Sequence, residues 1–102
     1  MNAWLEIRSC VGASSPITIE LTAVRAVPAL LEAISAAQKA GSSAHAGKWD
    51  YSLRISQDEV DDIKNRICFA SKSEDDRSTI YSADVSYCDS CYALRLFIEK
   101  SQ

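Results

Sequence analysis

Long apolar runs are missing from this chain. Its most apolar segment, AVPALLEAISAA, is broken by Glu32 and falls well short of the roughly 20 residues a membrane span requires. The N-terminal stretch carries Glu6 and Arg8 among its apolar residues, unlike the core of a secretory leader. The expectation is no membrane partner, a cytoplasmic location and four reduced cysteines. An excess of basic charge is also missing. Eleven Lys and Arg stand against 14 Asp and Glu, for a net charge of −3. A general nucleic-acid binder needs a basic face to displace phosphate counterions, so no direct nucleic-acid contact is expected.

Catalytic signatures are scarce too. The single histidine, His45, lies in the small-residue segment GSSAHAG with no nucleophile motif around it, and reads as an exposed loop residue. There is no Gly-rich phosphate loop, no His-Glu-x-x-His and no Asp-x-Asp-x-Asp-Gly calcium loop. These absences lead to the expectation of a protein that is not an enzyme and carries no cofactor.

What is present suits one domain spanning residues 1–102. Apolar residues make up 47% and charged residues 25%, ordinary proportions for a globular chain. At this length folding buries roughly 60–70% of the unfolded surface, enough for one core without staples.

Residues 3–11, AWLEIRSCV, alternate: Leu5, Ile7 and Val11 on one side, Glu6 and Arg8 on the other. That is a strand pattern. ITIEL, residues 17–21, alternates as a short second strand, although Ser15-Pro16 could instead open a helix. Val27, Leu30, Leu31, Ile34 and Ala37 then recur at helical spacing, with Pro28 in the first turn and Gly41 as a stop. KWDYSLRIS puts Trp49, Tyr51, Leu53 and Ile55 on one face of a third strand. It leads into Ser56-Gln57-Asp58-Glu59, a capping-box pattern, and a helix that turns Val60, Ile63, Ile67 and Ala70 inward. SKSEDDRS reads as a charged loop.

The C-terminal stretch SADVSYCDSCYALRL reads as a hairpin. With Asp89-Ser90 as the bend, Tyr87 faces Tyr92, Val85 faces Leu94, Ala83 faces Leu96 and Tyr81 faces Ile98 on one side. The other side pairs Cys88 with Cys91, Ser86 with Ala93 and Asp84 with Arg95. The predicted order is ββαβαββ. It implies an α+β two-layer sandwich, with a mixed or mainly antiparallel sheet of about five strands and two helices on one face.

The four cysteines give one Cys-x-x-Cys, Cys88 and Cys91. A strand follows it with only 11 residues left, so a thioredoxin-like redox site, which needs a helix N-terminus there, does not fit. Cys10 or Cys68 could complete a zinc site with Cys88 and Cys91. A second Cys-x-x-Cys is lacking, however, and Cys10 and Cys68 read as small, partly buried apolar residues.

Residues 57–76 hold seven acidic residues, Asp58, Glu59, Asp61, Asp62, Glu74, Asp75 and Asp76, against three basic ones. That leaves −4 there and +1 elsewhere. Acids in a first helical turn suit the helix dipole, and the rest suits a polar loop. As a surface, the same residues would steer a protein partner with a basic face, and Trp4, on the polar side of its strand, would serve as an anchor. The expected function is a non-enzymatic protein-binding module, a small acidic inhibitor that neutralises a toxin or a nucleic-acid-targeting complex. The alternatives are a self-associating structural domain forming a homodimer, or a small metal- or ligand-binding domain built on Cys88 and Cys91.

Overall fold

The computed structural model describes residues 2–9, 16–40 and 51–100, so Cys10, His45 and Trp49 lie outside the described residues. The elements run β1 (Ala3–Ser9), β2 (Ile17–Thr18), α1 (Leu21–Ala26), α2 (Pro28–Ala40), β3 (Tyr51–Ile55), α3 (Gln57–Arg66), β4 (Ser71–Glu74), β5 (Ser78–Tyr87) and β6 (Ser90–Glu99). They form an α+β fold around one sheet in the order β2-β5-β6-β1-β3, with β4 also paired to β5. All pairings are antiparallel except β2 with β5. Because β6 occupies one edge of β5, β2 and β4 share the other. β2 pairs at Val85 and Ser86, and β4 at Thr79 to Ser82.

The core lies between the sheet and the helices. Alternation sends Leu5, Ile7, Ile55, Ala83, Val85, Tyr92, Leu94 and Leu96 to one face, all buried. Opposite them stand Val24, Leu30, Ala33, Ile34 and Ala37 from α1 and α2, and Val60, Ile63 and Ile67 from α3 and its C-cap. Each fully buried Leu, Ile or Val contributes roughly 1.5–3 kcal/mol of transfer free energy. The predicted capping box forms: the Ser56 N–H donates to Glu59 Oε1 at 3.0 Å, and the Glu59 N–H to Ser56 Oγ at 3.3 Å. Beyond α3, Phe69 packs on Tyr81 with ring centroids 5.8 Å apart, and the ammonium groups of Lys64 and Lys72 lie 4.9 and 5.7 Å from the same ring. Among the described residues no helix is long and apolar enough to cross a membrane.

The hairpin differs from its predicted register. Its bend is Cys88-Asp89, both at positive φ (51° and 62°), the backbone of a type I′ turn. Val85 therefore faces Tyr92, Ala83 faces Leu94 and Tyr81 faces Leu96, while Ser86 faces Cys91, Asp84 faces Ala93 and Ser82 faces Arg95. Every pair is offset by two residues from the Asp89-Ser90 reading. Such a slip moves a strand by about 6.7 Å yet keeps each side chain on its face, so alternation cannot exclude it. The observed register pairs all ten residues of β5 with all ten of β6.

Other boundaries moved for local reasons. The expected strand ITIEL keeps only Ile17–Thr18, and Leu21 opens the short α1, where it is 46% exposed. Leu31, expected inward, is 38% exposed because α2 turns the small Ala29 and Ala33 toward the sheet beside Leu30 and Ile34. Ala70, also expected inward, is exposed, since Ile67 ends α3 with extended dihedrals and the chain straightens into β4. β4 replaces the expected loop. All four of its residues are exposed, so it is held by pairing to β5 and shows no apolar alternation in the sequence.

The I′ bend yields a test. Replacing Cys88 by Asn together with Asp89 by Gly, the pair this turn favours most, should raise stability by about 1 kcal/mol in thermal unfolding by relieving non-glycine residues at positive φ. Cross-strand Overhauser contacts between Val85 and Tyr92 should persist. A lower midpoint would exclude this turn geometry.

Candidate functional site

Among the described residues, the three helices lie over one face of the sheet, and the other face carries the residues of opposite parity. Open faces of antiparallel sheets are ordinarily polar. This one carries an apolar row. Ile80 of β5 faces Phe97 of β6, Phe97 faces Trp4 of β1, and Trp4 faces Arg54 of β3. Ile80, Phe97 and Trp4 are each half-buried, and Arg54 is exposed. Two guanidinium groups lie against the rings: Arg54 is 5.9 Å from the Trp4 ring centroid, and Arg95 is 4.7 Å from that of Phe97. Such stacking holds arginine without neutralising it, at roughly 0.5–1 kcal/mol per exposed pair.

The next rows are polar. Ser82, Arg95, Glu6 and Ser52 follow in register across β5, β6, β1 and β3. Beyond them, Asp84, Ala93 and Arg8 follow across β5, β6 and β1. Ala93 is short among long neighbours, and a shallow depression of about 330 Å³ opens around it. Arg8, Arg95, Ser82 and Asp84 line it, with Ser71 at the rim where β4 begins.

Trp4, expected as an anchor from its place on the polar side of its strand, stands at the centre of the apolar row. Its neighbours Phe97 and Ile80 are not apparent from local sequence. Phe97 shares the parity of Ala93 and Arg95, which places it on the polar side. Only the pairing of β6 with β1 brings it beside Trp4.

The acidic residues sit elsewhere and in two groups. Asp58, Glu59, Asp61 and Asp62 open α3, which leaves the β3 edge. Glu74, Asp75 and Asp76 lie at the β4–β5 bend, at the other edge of the sheet and roughly 19 Å away by four strand spacings. Several have local tasks. Glu59 closes the capping box, and Asp61 Oδ1 accepts from Gln57 Nε2 at 3.1 Å. Asp75 Oδ1 accepts from the N–H groups of Arg77 and Ser78, both at 2.7 Å, and from Ser78 Oγ at 3.2 Å. Glu74 lies 3.3 Å from Lys72 and 4.0 Å from Lys100, and Lys100 Nζ donates to the Asp75 carbonyl at 2.6 Å. Asp58, Asp62 and Asp76 are exposed.

The thiols do not converge either. Cys88 is exposed in the bend, and Cys91 is half-buried opposite Ser86, so the two do not face each other. Cys68, expected to be partly buried, is exposed where the chain leaves α3. Among the described residues, no three His, Cys, Asp or Glu side chains cluster as metal ligands would. At the hairpin tip, partial burial and then the neighbouring Cys88 thiol hold the Tyr87 hydroxyl above its ordinary value.

Backbone donors from Arg77, then Ser78, hold the Asp75 carboxyl below its ordinary value. Its contribution to stability is therefore present above the ordinary carboxylate range and is lost as pH falls through the depressed value. Asp75→Ala should unfold at a lower temperature than the parent protein at neutral pH, and the gap should close in strong acid. A gap that stays constant with pH would rule out the ionised carboxylate as its source. Comparison of the chain with protein-family models, curated proteins and solved structures gives no match.

Proposed function

We propose that this chain is a non-catalytic protein-binding module that engages its partner through the open face of the sheet. The observation that carries the proposal is the row Ile80, Phe97, Trp4 and Arg54, spanning four adjacent strands. Trp, Phe and Arg are enriched where proteins bind one another, and rings fixed on paired strands lose little freedom on binding. Apolar side chains gathered on a water-facing sheet are costly unless they serve a contact. The row itself holds rings and a permanently charged guanidinium group, which bind and orient but do not transfer protons, and the carboxylates of Glu6 and Asp84 stand in the rows beyond it. The acids of α3 are on the helix side, where they act at range to steer a partner of basic overall charge. A toxin or a nucleic-acid-targeting complex is a partner of that kind, and covering its working surface would inhibit it one to one. The exposed thiols of Cys68 and Cys88 suit a reducing, cytoplasmic setting.

Trp4→Ala and Phe97→Ala leave the buried core intact and should fold. Each should weaken retention of the host protein captured by the parent chain at least tenfold, as hot-spot truncations do. Asp58→Lys with Asp62→Lys should slow association at low salt and leave dissociation unchanged. Undiminished binding by the folded Trp4 and Phe97 variants would sink the proposal.

A second reading rests on β3. Its outer edge pairs with no strand among the described residues, and Arg54 is the one charged residue along it. Antiparallel pairing of two β3 strands about a two-fold axis would join two sheets into one homodimer. Sedimentation should then show a dimer that Ser52→Pro, which removes an outward-pointing N–H, disperses while the fold persists. A monomer at high concentration excludes this reading.

A further inference from the structure

Resting on the proposed open-face contact, we infer that the depression around Ala93 receives a carboxylate from the partner, an Asp or Glu side chain of an extended segment whose apolar residue packs on the Trp4–Phe97 row. Charge complementarity carries the inference. Arg8 and Arg95 bring two positive charges to the cavity, and Asp84 brings one negative, while Ser71 and Ser82 add neutral hydroxyls; Glu6, opposite Arg95 in register, stands outside the lining. The lining therefore favours a single negative group. Both arginines line the cavity and have partners within the fold, and each guanidinium carries five N–H donors in all. That fork matches the two oxygens of a carboxylate, and Arg95 is pre-positioned by its contact with Phe97.

The floor supports the same conclusion. Ala93 forms part of the floor of this depression of about 330 Å³, and a longer side chain there would narrow it. Spacing then sets the partner's pattern. Phe97 and Ala93 are four residues apart on β6, roughly 13 Å along the strand. An extended segment lying along β6 repeats that distance between its own residues i and i+4, both on the side facing the sheet. The recognised pattern is an apolar side chain with an acidic one four residues away.

A random peptide-display library panned on the full chain tests this. Expected are peptides that need Trp4 and Phe97 and carry Asp or Glu four positions from an apolar anchor. Changing that acid to its amide should weaken binding roughly tenfold on the parent chain, but have little effect on Arg95→Gln or Arg8→Gln. Ala93→Leu, which intrudes on the depression between Arg8 and Arg95, should lower the acid preference and keep the apolar anchor. Circular dichroism and thermal midpoints of the three variants confirm that the sheet is intact. Peptides that need Trp4 and Phe97 but carry no acid would overturn the carboxylate pocket and leave the open-face proposal standing. Peptides indifferent to Trp4 and Phe97, or no enrichment at all, would overturn both.

Discussion

Strand β6 is hydrogen-bonded to β5 along one edge and to β1 along the other, and its Tyr92, Leu94 and Leu96 form the floor of the core. Nearly every other element takes its place from it. β5 carries β2 and β4 on its far edge, β1 carries β3, and α2 packs across β1 and β3. The placement of β6 depends in turn on two residues at positive φ, Cys88 and Asp89, which return the chain tightly enough for ten cross-strand pairs. A bend shifted by one residue would change every partner along β5.

The same strand builds both faces of the sheet. Its even-numbered residues from Tyr92 to Leu96 enter the core, while Cys91, Ala93, Arg95 and Phe97 face the other way. The row of rings and the depression beside it are therefore products of one periodicity, and they share the rigidity of the central strands. A contact surface placed there is preorganised, since its backbone is already fixed by folding. The acids at the β4–β5 bend are mostly occupied with holding that bend, which limits their value as a surface.

The amino-acid pattern determined most of the core and the class of the fold. Leu5, Ile7, Leu30, Ile34, Val60, Ile63, Val85 and Leu94 are buried because burial favours apolar side chains at the period each element imposes. The capping box and the helix start at Pro28 were legible because they depend on residues within one turn of each other. β4 was not legible: SKSE has no apolar residue, and its strand conformation comes from the neighbouring edge of β5.

Tertiary structure decided the hairpin register and the site. Side-chain alternation has a period of two, so it specifies a strand's faces but leaves two-residue slips unresolved, and turn geometry and strand overlap made that choice. In the sequence Trp4 stands out alone, by lying on the polar side of its strand. Its meeting with Phe97, Ile80 and Arg54 joins residues up to 93 positions apart, a proximity that the order β5-β6-β1-β3 creates and no local pattern encodes.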